Sequence, residues 1–270
     1  MNNAEAVTNL VLPLFRNVPA ARPGVCRICH TGPNNKGDDT PYEICSSCER
    51  TVNGLRRHVE PVVPISLAVT KGEDNQLFRT VARKTLVWSG TGWLRPEVLM
   101  AATLSRFYAA HKSCLTRLAG GPFTMVVTVP STRLERPVEA VDILPRVIGL
   151  IGALRGLYRP LLWANDEYAA VLAKRCSHPK AFKVMGAADG AKPLRGHRVL
   201  LVDDWFMSGA HVQSAAYALF EAGAEEVVGL VILRVIVPSP SHENRWSIWQ
   251  EANAEPFSFD RCCLCAAARR

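Results

Sequence analysis

Residues 200–216 read LLVDDWFMSGAHVQSAA, and their order of residue types decides the fold. The apolar run of HRVLLVDD (197–204) has the length and β-branched content of a strand buried on both faces, and it ends on Asp203 and Asp204. A short loop with one glycine follows. Val212, Ala215, Ala216, Leu219 and Phe220 then form a helical stripe, which Gly223 stops. The next segment, EVVGLVILRVIV (226–237), is another continuous buried strand. Strand, helix and strand in such tight succession require a right-handed crossover in a parallel sheet.

Ligands of parallel sheets gather at the carboxyl ends of the strands, where this sequence places its two acids. The free N–H groups and dipole of the helix that follows attract a phosphate. Gly209 lets the backbone close around an anion, and Ser208 adds a hydroxyl. Asp203 and Asp204 would repel a phosphate. They suit the hydroxyls of a ribose, or water bound to a magnesium ion. Trp205, Met207 and His211 are unusual occupants of such a loop.

Elsewhere the pattern predicts a strand at Ile65–Val69, a helix over Asn75–Trp88 and a longer helix from Pro96 to about Leu118. FTMVVTVP (123–130) reads as a second doubly buried strand, followed by a helix from about Pro137 to Leu154. The stretch from Tyr158 to Ala191 reads as polar and irregular.

The chain has 270 residues, 48% of them hydrophobic and 21% charged, an ordinary globular composition. Its apolar runs are too short for a membrane anchor or a signal peptide, so a cytoplasmic location with no membrane partner is expected. A net charge of +8 favours anionic partners, either phosphorylated metabolites or nucleic acid. The basic residues are spread along the chain rather than massed in one tract.

Nine cysteines in such a compartment should be thiols, so their spacing matters more than their number. Cys26, Cys29, Cys45 and Cys48 form two C-x2-C turns separated by fifteen residues. Two such turns complete a tetrahedron of sulfur around a zinc ion, and metal binding supplies folding free energy that so short a segment lacks. With all four positions taken by cysteine, the zinc is structural. His30 beside Cys29 reads as a solvated loop residue. Cys262, Cys263 and Cys265 at the end of the chain are open to three readings: half of a metal site, a contribution to a partner's site, or a solvated tail, of which the tail is preferred.

VLLVDDWFMSGA with a helix ending EAGA resembles the signature of type I phosphoribosyltransferases, and the four-cysteine knuckle ahead of it resembles the ComF-like branch of that family, linked to competence and DNA uptake. Between those ends, VVTVPSTRLERP (126–137) falls where the branch has a strand, a Val-Pro turn and a basic loop. RCSHPKAF (175–182) resembles its Arg-x-x-Asn-x-x-Ala-Phe segment, with His178 in place of Asn. The resemblance implies a Rossmann-like α/β domain with a parallel sheet over 61–240, a zinc-ribbon module within 1–60 and a tail at 241–270. It implies binding of 5-phosphoribosyl pyrophosphate (PRPP) or a phosphorylated nucleotide. Asp203 and Asp204 would hold the ribose hydroxyls and organise Mg2+. Ser208, Gly209, Ala210 and His211 would cradle the 5-phosphate, and Arg133 would meet the pyrophosphate.

Met207 takes the place of a hydroxyl residue in that pattern, His211 that of a small hydroxyl residue and Trp205 that of a compact aliphatic one. RPVEA (136–140) lacks the Gly-Phe-Asn-Gln run of the branch. Three readings follow: an active PRPP-dependent transferase, a protein of the same fold that senses a nucleotide or sugar phosphate, and an accessory that handles DNA in uptake or repair. The expectation adopted is a phosphoribosyltransferase-type protein, its turnover left open.

Overall fold

The computed structural model describes residues 3–32, 42–90, 92–132, 142–187, 190–239 and 243–267. Its centre is a four-stranded, all-parallel sheet in which the most continuous apolar stretches of the sequence lie innermost. In chain order the described elements are α1 (Asn3–Asn9), α2 (Ser46–Val52), β1 (Val62–Val69), α3 (Gln76–Arg83), β2 (Val87–Trp88), β3 (Trp93–Leu94) and α4 (Pro96–Leu118). There follow β4 (Met125–Thr128), α5 (Leu144–Gly149), α6 (Gly152–Arg155), β5 (Leu162–Ala164), α7 (Ala169–Ala173) and β6 (Phe182–Val184). The chain continues through β7 (Arg198–Phe206), α8 (Ala210–Glu221), β8 (Glu226–Ile236), α9 (Glu243–Ala254) and α10 (Cys263–Ala267).

The sheet order is β1-β8-β7-β4. Leu200 pairs with Val228 and Val202 with Leu230 across β7 and β8, and Val127 of β4 pairs with Leu201. The strands are covered on both faces, and their side chains divide between two cores with the period of two that a pleated strand imposes. Leu200, Val202, Val228 and Leu230 join α3, α4 and α5 in the first core. Val199, Leu201, Val227 and Val231 join α8 and the cysteine segment in the second. Truncating a fully buried residue such as Leu200 to alanine would cost about 2–5 kcal/mol.

The four-cysteine segment is seated on the sheet. Ile28 accepts a hydrogen bond from Val62 N–H at the start of β1 (2.9 Å). Gln213 of α8 holds the connecting segment by both ends of its amide, accepting from Val59 N–H and donating to Val59 C=O, each at 2.9 Å. The stripe of α8 (Val212, Ala215, Ala216, Leu219, Phe220) is buried in this second core, as its spacing predicts.

Four local expectations are corrected. The strand predicted to end on Asp203 and Asp204 runs on to Phe206, because Trp205 and Phe206 still pair with Leu233 and Arg234 of β8. The helix predicted over Asn75–Trp88 is shorter: α3 ends at Arg83, capped by Lys84 in the left-handed region, and Val87–Trp88 turns into a hairpin. The irregular stretch after Tyr158 holds a two-stranded antiparallel sheet, β5 with β6. The solvated tail is not solvated. Phe257 stacks on Phe15 and Phe259 packs tilted against it (5.2 and 5.6 Å between ring centroids), and Cys262 and Cys263 are buried in the first core. Of the helix expected over Pro137–Leu154, the part up to 141 lies outside the described residues, and the rest forms α5 and α6.

Among the described residues, no helix is long and apolar enough to cross a membrane.

Candidate functional site

Cys26, Cys29, Cys45 and Cys48 come together as their spacing predicts. All four thiols are buried and their sulfur atoms lie within 4.8 Å of one another. Cys29 Sγ and Cys45 Sγ are 3.8 Å apart, the separation of about 3.8 Å that two thiolates have when each sits ~2.3 Å from one tetrahedral ion. Cys48 N–H donates to Cys45 Sγ at 3.4 Å, so the second C-x2-C turn points its sulfur inward. The group is a buried cluster able to hold a structural metal.

A charged neighbour supports that assignment. Arg234, near the carboxyl end of β8, is 3% exposed, and Nη2 donates to Cys29 Sγ at 3.5 Å. Among the described residues, no carboxylate lies within ion-pair distance of it. Burial works against its charge, yet the sulfurs of Cys29, Cys48 and Cys45 hold its pKa above the ordinary value. A buried guanidinium needs a counter-charge. A metal-bound tetrathiolate, with its net negative charge, supplies one, whereas four neutral thiols would not. Burial likewise lowers His30 to about 4, leaving the imidazole neutral. The solvated-loop reading of His30 is therefore corrected: it is 2% exposed, because its left-handed backbone (φ 57°) turns it in beside Cys29.

The same arginine reaches the loop after the acids. Its Nη1 donates to Met207 C=O (2.6 Å) and Val235 C=O (2.6 Å), and its guanidinium lies 5.0 Å from the Phe206 ring centroid. Trp205 sets its ring edge-on to Phe78 of α3, 5.9 Å between centroids, and Met207 packs on the first core. Trp205 at the end of β7 and Met207 just after it are thus packing residues, which explains their size.

Asp203 and Asp204 lie near the carboxyl end of β7, the strand flanked by β8 and β4. Asp204 N–H donates to Asp203 Oδ1 (2.9 Å), and Asp204 forms an ion pair with Lys84 at the end of α3. Lys84 Nζ also donates to Val81 C=O at 2.7 Å. Burial, with the charge of Asp204 next to it, pushes Asp203 well above the usual carboxylate range. Asp142, just ahead of α5, is raised to about 6 by burial and by Asp204. Lys84 is thus the cation that faces this group of carboxyls, two of which, Asp203 and Asp142, burial drives toward their protonated form.

Gly209 opens α8 with φ +90°, and a Cβ there would lie 2.6 Å from the Phe206 ring. Glycine is required on both counts. Ser208 Oγ accepts from Ala210 N–H at 3.3 Å, so the serine hydroxyl already caps the first amide of the helix. The Ala210 side chain is buried. His211 Nε2 is 2.9 Å from Thr132 Oγ1, joining the start of α8 to the chain after β4. The His178 ring stacks on Tyr168 (4.0 Å), and the backbone N–H of His178 donates to Ser214 Oγ of α8 (2.9 Å). Arg133 lies outside the described residues.

Lys84 and Asp142 escaped the sequence reading, because neither belongs to a motif and the fold alone brings them to Asp204. Arg234 was visible only as an interruption in an apolar strand. Comparison with protein-family models, with curated proteins and with solved structures finds no match to this chain.

Proposed function

We propose that the chain is a phosphoribosyltransferase-type protein that binds PRPP or a related phosphorylated ribose or nucleotide. The observation that carries the reading is the succession, on one interior parallel strand, of Asp203 and Asp204, a glycine-led loop and the amino-terminus of α8. Asp203 and Asp204 hold the two ribose hydroxyls, while the amides at the start of α8 and Ser208 meet the 5-phosphate. Asp204 and Asp142 are the groups that would carry Mg2+, which supplies charge neutralisation to a departing pyrophosphate. With a cation bound at Asp204, the Lys84 ammonium now paired with it would be available to the anionic ligand. The metal of the four-cysteine cluster is zinc in this proposal, since an all-thiolate tetrahedral set suits it and leaves no site open to water.

A second reading, binding without turnover, is favoured by one specific arrangement. Ser208 is engaged by Ala210 N–H, Asp204 by Lys84, and Met207 by packing. A site so internally satisfied suits a nucleotide or sugar-phosphate sensor.

A thermal-unfolding series tests the binding reading. Ligand held at a hundred times its Kd adds about 2.7 kcal/mol to stability. PRPP or a nucleoside monophosphate with Mg2+ should therefore raise the melting temperature by several degrees, and inorganic sulfate should not. No shift with any phosphorylated ribose would contradict it.

A further inference from the structure

The segment around Cys262–Cys265 meets α4 at His111 and Cys114. His111 and Cys114 stand three residues apart on α4, and Cys262 and Cys265 stand three apart where α10 begins. A nitrogen of His111 and the sulfurs of Cys114, Cys262 and Cys265 lie within 4.8 Å of one another, as compact as the first cluster. We propose that these four side chains form a second metal site, a Cys3His centre of the kind that binds zinc.

Three features of the surroundings support it. The C-x2-C turn is closed by reciprocal bonds: Cys262 N–H donates to Cys265 Sγ (3.1 Å) and Cys265 N–H donates to Cys262 Sγ (3.4 Å). Each sulfur is thereby oriented by the other residue's backbone amide. His111 Nε2 lies 2.8 Å from the carbonyl oxygen of Phe259, which can only accept, so Nε2 carries the proton and Nδ1 keeps a lone pair. That tautomer, fixed by an outer hydrogen bond, is how metal-binding histidines are held. The backbone of α4 departs from helical geometry at His111 itself (φ −121°, ψ 16°), within a helix otherwise regular enough to run for 23 residues.

All four positions are filled by protein, so the site is structural. Its role is to clip the end of the chain to α4 across 148 residues of sequence, beside the packing of Phe257 and Phe259 on Phe15. Arg106 of α4 covers the Phe259 ring at 4.5 Å and donates to Thr8 and Asn9, so α1 and the Phe259 segment meet on this helix.

The test is metal content of the full-length protein, purified under reducing conditions and loaded with zinc, or with cobalt for its absorption spectrum. The wild type should hold two equivalents per chain, with two superimposed cobalt spectra, one all-sulfur and one sulfur-nitrogen. Cys114→Ser should hold one and lose the sulfur-nitrogen spectrum. Cys114→His, which restores a ligand, should regain the second equivalent with shifted bands. A folded wild type with a single equivalent would overturn the proposal. So would a second equivalent unaffected by Cys114→Ser, or a Cys262–Cys265 disulfide formed in place of metal binding.

Discussion

Arg234 donates to Cys29 Sγ with one nitrogen, at 3.5 Å, and to the carbonyl of Met207 with the other, at 2.6 Å. One buried cation thus connects the cysteine cluster to the loop that follows the acid pair. The cluster is more than a decoration at the amino-terminus, because its charge balance and the position of the loop depend on the same side chain.

Replacing Arg234 by methionine keeps the volume and removes the charge. The carbonyls of Met207 and Val235 lose a donor and the sulfur cluster loses its counter-charge. Breaking a buried charge interaction in this way costs about 3–5 kcal/mol. Urea unfolding of the metal-loaded protein should show that loss, and a chelator should remove the metal faster than from wild type. Equal stability would mean that the cluster is not charged.

Cys45→Ser should remove one equivalent of metal and loosen the segment from Val25 to Val52, with the sheet still folded on its first core. Elemental analysis with hydrogen exchange of the amides of α2 reads both effects. Full metal content in this variant would contradict the assignment.

Gly209→Ala tests the loop. A left-handed non-glycine residue costs about 1–3 kcal/mol, and the new Cβ must also push the Phe206 ring aside. Phosphate-ligand binding should fall with stability. Adding Phe206→Leu should recover part of the stability, since the leucine leaves the space that the ring fills. No recovery in the double variant would show that backbone strain alone sets the cost.

Asp142 gives the acid site a pH signature. Its carboxyl is raised to about 6 in the folded chain, so between the ordinary carboxylate range and about pH 6 the folded state binds more protons than the unfolded. Stability therefore falls as pH rises through that window, and the penalty is complete above it. Asp142→Asn should gain on wild type as the pH of denaturant titrations goes from 4 to 7. A constant difference between the two proteins would contradict the environment described for Asp142.

The parts of this molecule legible in the sequence are those written in local spacing. The continuous apolar runs around Leu200 and Val228 announced parallel interior strands, and the doubled C-x2-C announced the cluster. What escaped depends on distant approach. Lys84 reaches Asp204 across 120 residues and His111 reaches Phe259 across 148, and neither separation leaves a local pattern. HKSC at 111–114 and CCLC at 262–265 did carry a signal, two chelating pairs of equal spacing, but only the fold shows that they face each other. The polarity of His30 predicts exposure, but its left-handed backbone turns the ring inward. Trp205 and Met207 are unusual in a ligand loop by sequence, and their packing against Phe78 and the first core accounts for them.

The most direct measurement of the central claim is calorimetric titration of PRPP into wild-type protein and into Asp203→Asn/Asp204→Asn, each with and without Mg2+. The account predicts saturable binding to wild type, at least tenfold tighter with Mg2+, and loss of that Mg2+ dependence in the double variant. Absence of PRPP binding to wild type at millimolar concentration with Mg2+ present would contradict it.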